Sequence, residues 1–370
     1  MTGGWRERSL QDLLSEHGLE LLPEHEFPTD GWSGATFSSL RDSDGRRYVL
    51  KRTSFETDWI ARATRDHELR EGWLAALPRG ALAWMPTSMS PYLGAAADGP
   101  GVAILTPDMS NELIAWERPG HDPAIDRATL ARVLRATARL HAIPWSRVLE
   151  SALAGDDRVS APWCPLPERL TLLAPASAAR YAADDNPVGH RFLAGWDAFD
   201  RLAAPSARNL VARLGADPSA LVAALETLPA LGLHGDLKLA NIALLPDEAV
   251  AFIDWQMTLQ APVAVELGWF VVSNSGSLPL PPEEVLAGYR EALEWDSGRW
   301  GAEGHGHDLA GLVGDWELQT DLTWIVGLLL RGWRKGLDAE AGVVLPSRIR
   351  AADDLAWWCA RADEAASRRL

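Results

Sequence analysis

The chain has 370 residues, 47% hydrophobic and 23% charged, with a formal net charge of -16; this length suits two packed lobes and this composition an ordinary globular protein. The acidic balance argues against a nucleic-acid backbone as partner, because phosphate binding needs basic clusters, and leaves room for a cationic or neutral small molecule. Cys164 and Cys359 are too few for a disulfide framework and stand in no CxxC pattern, and no apolar run reaches the roughly 18 to 20 residues of a membrane span, so a cytoplasmic protein without membrane contact is expected.

The segment up to about Phe27 carries Leu10, Leu13, Leu14, Leu19, Leu21 and Leu22 and predicts a short amphipathic helix. A hairpin follows, EFPTDGWSGATFSSL, a DSDG turn and RRYVLKRTS; its first loop holds Gly31 and Gly34 with Ser33 between, and Lys51 ends its second strand. TDWIARATRDHELREGWLAAL is helical by period through Trp59, Ile60, Ala63, Leu69, Trp73, Leu74 and Leu77. VAIL then predicts a buried strand leading into TPDMS. DRATLARVLRATARLHAIPW reads as an amphipathic helix ended by Pro144, with His141 packed at its end. From Trp145 to about Leu231 the sequence is largely helical with Pro-rich breaks, and its residues receive no roles.

The chemistry gathers between Leu233 and Gln256, in LHGDLKLANIALLPDEAVAFIDWQ. IALL and VAFI flank PDEA and predict a β-hairpin. With the turn centred between Asp247 and Glu248, Asn241 and Asp254 face each other with Cβ atoms roughly 5 Å apart. An amide and a carboxylate so placed suit Mg2+, a hard cation that takes a few oxygen ligands and completes its octahedron with phosphate and water.

The spacing of His234-Gly235-Asp236, Asn241 and Asp254 resembles the catalytic loop of aminoglycoside phosphotransferases and choline kinase-like enzymes, within the eukaryotic-like kinase superfamily. That resemblance implies an α+β, two-lobed protein-kinase-like fold, with a small β-rich N-lobe over 1–109 and a helical C-lobe over 110–370. It implies ATP as donor and Mg2+ as cofactor, with Asp236 as the base that accepts the acceptor hydroxyl's proton and Asn241 and Asp254 as metal ligands. Lys238 would neutralise the transferring phosphoryl group. Lys51 would hold the α- and β-phosphates under the loop of Ser33 and Gly34, steadied by Glu71, with Glu68 three residues earlier as competitor. Backbone groups from Leu105 through Asp108 to Met109 would meet the adenine edge, less the N–H that Pro107 lacks. Glu266 stands where relatives generally carry an Asp that braces the catalytic loop.

The expected reaction is transfer of the γ-phosphoryl group to a hydroxyl of a small molecule. A protein kinase is disfavoured because only eleven residues separate Asp254 from Glu266, too few for a peptide-presenting activation segment. A non-catalytic nucleotide-binding module is disfavoured because Lys51, Asp236, Asn241 and Asp254 are all present. The stretch from Glu283 to Asp321 has a formal charge of -8, and Glu317, Asp321 and Trp324 recur at helical spacing, so they are expected to receive a cationic, hydroxylated acceptor. His305 and His307 have no partners at ligand spacing and read as a solvated loop.

Overall fold

The computed structural model describes residues 4–21, 33–77, 90–114, 124–145, 163–184, 186–302 and 309–370. Gly31, Leu22 to Phe27, His305 and His307 therefore lie outside the described residues. The chain's contacts divide it into two compact units that interleave in sequence where a single cut near residue 109 was expected. The first contains Met1–Pro119, Ile143–Cys164 and Ala240–Thr258, and the second contains the remainder.

The first unit is built on a five-stranded antiparallel sheet. Its strands are β1 (Glu20–Leu21), β2 (Thr36–Arg41), β3 (Arg47–Thr53), β4 (Gly94–Asp98) and β5 (Gly101–Pro107), in the order β1-β2-β3-β5-β4. Alternate residues of β5 serve different cores, because successive side chains of a strand point to opposite faces. Ala103 and Leu105 join Leu13, Leu14, Leu40 and Leu50; Val102 and Ile104 join Trp5, Ala61, Leu69 and Ala75. A strand buried on both faces reads as a continuous apolar run, as GVAIL does. Lys51 lies inside β3 rather than at its end, opposite Ile104. Directly opposed residues share a face, so this register turns Lys51 toward the core that holds Ala61 and Ala75.

The expected N-terminal helix is shorter than its leucines suggested: α1 spans Leu10–Glu16, capped by Ser9, and Glu20 already belongs to β1. The long helix expected between Thr57 and Leu77 is two short ones, α2 (Trp59–Ala63) and α3 (Arg70–Ala75). Arg65 takes a left-handed conformation, φ 54°. The Asp66 amide then donates to Ala61 O and the Arg65 amide to Arg62 O. This pair of bonds ends a helix in a Schellman motif, formed here with Arg in the place glycine usually takes. Asp66 turns its carboxylate back to accept the Arg70 amide on both oxygens, at 2.9 and 3.0 Å, which starts α3.

Within the first unit, β7 (Ile242–Leu244) and β8 (Val250–Phe252) form the expected hairpin. Its register is one residue away from expectation: Ile242 faces Phe252, and Ile253 N donates to Asn241 O at 3.0 Å. Asn241 therefore stands across from Ile253, not Asp254. The reason is Pro246. The turn over Asp247-Glu248 closes with Ala249 N donating to Pro246 O at 3.2 Å, but proline has no N–H to return to Ala249 O; Leu245 N donates to that oxygen instead, at 2.9 Å.

The second unit is helical: α4 (Arg127–His141), α5 (Leu166–Thr171), α6 (Pro175–Ala183), α7 (Pro187–Leu202), α8 (Pro205–Ala216), α9 (Ser219–Leu225), α10 (Val263–Asn274), α11 (Pro282–Ala302), α12 (Leu309–Val313), α13 (Trp316–Glu340) and α14 (Ala351–Arg369). A two-stranded ladder of β6 (Leu231–Leu233) and β9 (Leu259–Ala261) accompanies them. Helix α13 is the centre, buried on all sides from Asp321 to Leu330 and packed against α7, α10 and α14. It approaches α10 so closely that a Cβ on Gly268 would lie 2.8 Å from Thr323 O. Among the described residues no helix is long and apolar enough to cross a membrane.

Candidate active site

In the first unit the ammonium of Lys51 lies 2.6 Å from Glu71 Oε2 and 2.6 Å from Asp254 Oδ1. The lysine side chain is 12% exposed, Glu71 4% and Asp254 35%. Burial alone would lower the lysine's pKa, but the two carboxylates outweigh it and raise it, so the ammonium stays charged. Of the two candidate glutamates, Glu71 meets Lys51; Glu68 instead pairs with Arg6 at the surface. Asp254 stands in the left-handed region, φ 65°, ψ 59°. Aspartate tolerates this conformation better than most residues, and the turn at Trp255–Met257 follows immediately.

Two residues that carry no motif tie this cluster together. Tyr92 donates its hydroxyl to Glu71 Oε1 at 2.6 Å and accepts the Trp255 amide at 3.3 Å. Arg70, 2% exposed, reaches from α3 to Gln256 O at 3.0 Å and to Thr64 Oγ1 at 3.0 Å. No local pattern marks Tyr92. Arg70 was detectable only as a basic neighbour of Glu71.

Ser33 and Gly34 lie in a turn fastened to the start of α2, where Ser33 O accepts the Trp59 amide at 2.9 Å. Gly34 has φ +103°, and a Cβ there would sit 2.3 Å from Thr57 O, so the turn needs glycine for both conformation and space. Two of the backbone groups expected at the adenine edge have partners within the first unit. Leu105 is buried within the sheet with its carbonyl bonded to Leu93 N, and the Asp108 amide donates to Arg47 O at 3.0 Å.

Asn241 is 5% exposed and ends the turn Leu239–Asn241 that leads into β7. Its side-chain amide and the Asp254 carboxylate are hard oxygen donors, of the type that suits Mg2+ better than Zn2+. Among the described residues no group of three His, Cys, Asp or Glu forms a closed metal cage.

In the second unit the backbone of the HGD loop is held bond by bond. Gly235 N donates to Glu266 at 3.0 Å, Asp236 N to His234 Nδ1 at 3.2 Å and Leu237 N to Glu266 at 3.3 Å. Lys238 N donates to Asp236 O at 3.0 Å, and Leu239 N to Asn274 Oδ1 at 3.0 Å. On the other side, Arg169 Nε donates to Gly235 O at 2.9 Å. Every amide from 235 to 239 thus has an assigned acceptor, as buried backbone requires, and Gly235, φ 84°, supplies the left-handed turn. The Glu266 carboxylate reaches two amides of the loop. Burial would raise its pKa, but His141, His234 and the Gly235 amide hold it below its ordinary value. His141 packs beneath, 2.7 Å from Tyr289 OH. Arg169 and Asn274 were missed in the sequence because neither lies near the motif. Lys238 Nζ sits 3.1 Å from Asp236 Oδ2.

The expected acceptor stripe on α13 is not an open face. Asp321 is buried and its carboxylate is taken by Arg368 and Arg369, at 2.5 and 2.7 Å. Trp324 is buried against Trp357 and Trp358. Glu317 alone of the three is exposed, in the first turn. The arginines lie 47 and 48 positions on in the sequence, beyond the reach of helical periodicity. Among the described residues, a groove of about 390 Å³ lies beside α11, lined by Glu283, Glu291, Glu294, Arg290, Trp316 and Thr320 among others.

A sequence model described as the phosphotransferase enzyme family matches residues 25–301. No curated protein matches the chain. Solved structures are similar at low identity. An aminoglycoside phosphotransferase from Alicyclobacillus acidocaldarius is 16% identical, with a TM-score of 0.41, over 94% of this chain and 91% of that one. The macrolide 2'-phosphotransferase MphH from Brachybacterium faecium is 18% identical, with a TM-score of 0.42, over 97% and 96%. The choline kinase LicA from Streptococcus pneumoniae is 10% identical, with a TM-score of 0.48, over 96% of each chain.

Proposed function

The chain belongs to the phosphotransferase enzyme family, and from that premise we propose that it transfers the γ-phosphoryl group of ATP, with Mg2+, to a hydroxyl of a small molecule. The observation that carries this reading is Lys51, buried with its ammonium 2.6 Å from both Glu71 and Asp254. A fixed buried cation beside an oxygen-donor pair is what triphosphate binding calls for. In this reading Lys51 engages the donor phosphates, steadied by Glu71, while Ser33 and Gly34 cover them. Asn241 and Asp254 would hold the metal, which when bound supplies charge neutralisation on the phosphate oxygens.

Asp236 accepts the proton of the attacking hydroxyl. Its place on a loop whose amides are all committed gives the carboxylate a set orientation before substrate arrives. Lys238, 3.1 Å from that carboxylate, lends positive charge to the transferring group. The acceptor proposed is a hydroxylated molecule with cationic character, because the groove beside α11 is lined by three glutamates and one arginine.

The test is Asp236→Asn, assayed by mass spectrometry of products formed from ATP, Mg2+ and a panel of hydroxylated amines and sugars. The wild type is expected to yield a product heavier by one phosphate. The variant should retain nucleotide binding and lose roughly 10² to 10⁴ in turnover, the usual contribution of general-base catalysis. Near-normal turnover in Asp236→Asn would remove that residue from the role.

A further inference from the structure

We propose that Tyr92 is a positioning residue for nucleotide and metal binding. Its hydroxyl fixes Glu71 relative to the backbone after Asp254, so that Lys51 remains shared between the two acids. This inference rests on the proposed roles of Lys51 and Asp254.

The argument begins with the two oxygens of Glu71. Lys51 takes Oε2 at 2.6 Å and the Tyr92 hydroxyl takes Oε1 at 2.6 Å. With one donor on each oxygen, the carboxylate is satisfied without drawing the ammonium into a two-oxygen grip, and Lys51 keeps its second bond to Asp254 Oδ1. The same phenolic oxygen accepts the Trp255 amide, the first N–H after a residue held at φ 65°. A non-glycine residue stays in that region only while its surroundings hold it.

Tyr92 is itself well anchored. Its ring packs on the core that contains Trp5, Ala95 and Ile104, and the next residue is tied to the sheet through Leu93 N to Leu105 O at 2.9 Å. Around the turn, Trp255 Nε1 donates to Phe252 O at 2.8 Å and Arg70 holds Gln256 O at 3.0 Å. The phenol therefore links the segment leading into β4 to both the acid that steadies the lysine and the turn that presents Asp254. Without the hydroxyl, the buried Glu71 Oε1 competes for the ammonium, and the Trp255 amide loses its bond to the phenol. Lys51 shifts toward Glu71, and Asp254 is freed from its left-handed conformation.

The test is Tyr92→Phe, which keeps the ring and removes one oxygen. ATP affinity is measured by calorimetry with and without Mg2+, well below the melting temperature, for wild type, Tyr92→Phe, Asp254→Ala and Tyr48→Phe. The last removes a hydroxyl that bonds Asp42 in the β2–β3 turn, at 2.9 Å, and serves as control. The gain in ATP affinity that Mg2+ confers should shrink about tenfold in Tyr92→Phe, equivalent to about 1.4 kcal/mol, and stay unchanged in Tyr48→Phe. A Tyr92→Phe protein that melts earlier yet binds ATP as wild type does, with and without Mg2+, overturns the inference and leaves Tyr92 a scaffold residue. If Asp254→Ala keeps the full Mg2+ gain, the metal role of Asp254 fails first, whatever Tyr92→Phe does, and the inference falls with it.

Discussion

Replacing Lys51 with Met should unmask the charge it compensates. Glu71 is 4% exposed and would be left with the Tyr92 hydroxyl in place of a cation. Breaking a buried pair from one side costs about 3 to 5 kcal/mol. Asp254, 35% exposed, can be rehydrated, and its lost partner adds about 0 to 1 kcal/mol. At about 2.1 cal/mol/K per residue, about 4 kcal/mol over a cooperative chain of 370 residues lowers the melting midpoint by about 5 °C. Glu71→Gln alone should cost less, because Lys51 retains Asp254. The decisive variant is the double, Lys51→Met with Glu71→Gln. It removes the stranded charge and keeps an acceptor for Tyr92, so it should recover about 1 to 3 kcal/mol relative to Lys51→Met. Thermal melts followed by circular dichroism on the four proteins close the cycle. Additive losses, with the double variant less stable than either single one, would refute the claim that charge compensation holds the cluster.

Gly34→Ala should cost about 1 to 3 kcal/mol from backbone strain and weaken ATP binding, because its Cβ would meet Thr57 O. Gly45→Ala shares a positive φ but opens to free space, so equal effects of the two on ATP affinity would count against a role for the Gly34 turn. Burial raises the Asp66 carboxyl to about 6 against the opposing pull of Arg70. A raised acid contributes stability below its unfolded value near 4 and loses it as pH rises through about 6. The wild type should therefore lose up to about 3 kcal/mol across that window. Asp66→Asn, which keeps an oxygen for the Arg70 amide, should show a flatter curve in melts between pH 4 and pH 7, and parallel curves would contradict the assignment.

What could be read from the sequence was what lies close together in it. His234, Asp236 and Asn241 fall within eight positions, and the apolar runs on either side of Pro246 announce a hairpin whatever its register. The pairing of Lys51 with Glu71 spans twenty positions, and the family resemblance, not spacing, led to it. The failures share a cause as well. The register depended on a hydrogen bond that proline cannot make. The break between α2 and α3 used Arg65 in a conformation usually marked by glycine. The fate of Asp321 was decided by Arg368 and Arg369, on another helix. Arg169, Asn274 and Tyr92 act on the loop or the turn from distant parts of the chain, where no spacing rule reaches.

The single proline in the β7–β8 turn also acts on the route by which this segment folds. Hairpins form in about 1 to 10 μs, fast enough for rival pairings to be sampled before the rest of a chain settles. A slip of one residue would send every side chain of the strand to the opposite face, Asn241 included. Because the imide nitrogen of Pro246 has no N–H to give Ala249 O, the rival register forfeits one of the two bonds next to the turn, worth about 1 kcal/mol. The facing of Asn241 is thus selected five residues away, early, and by an atom that is missing.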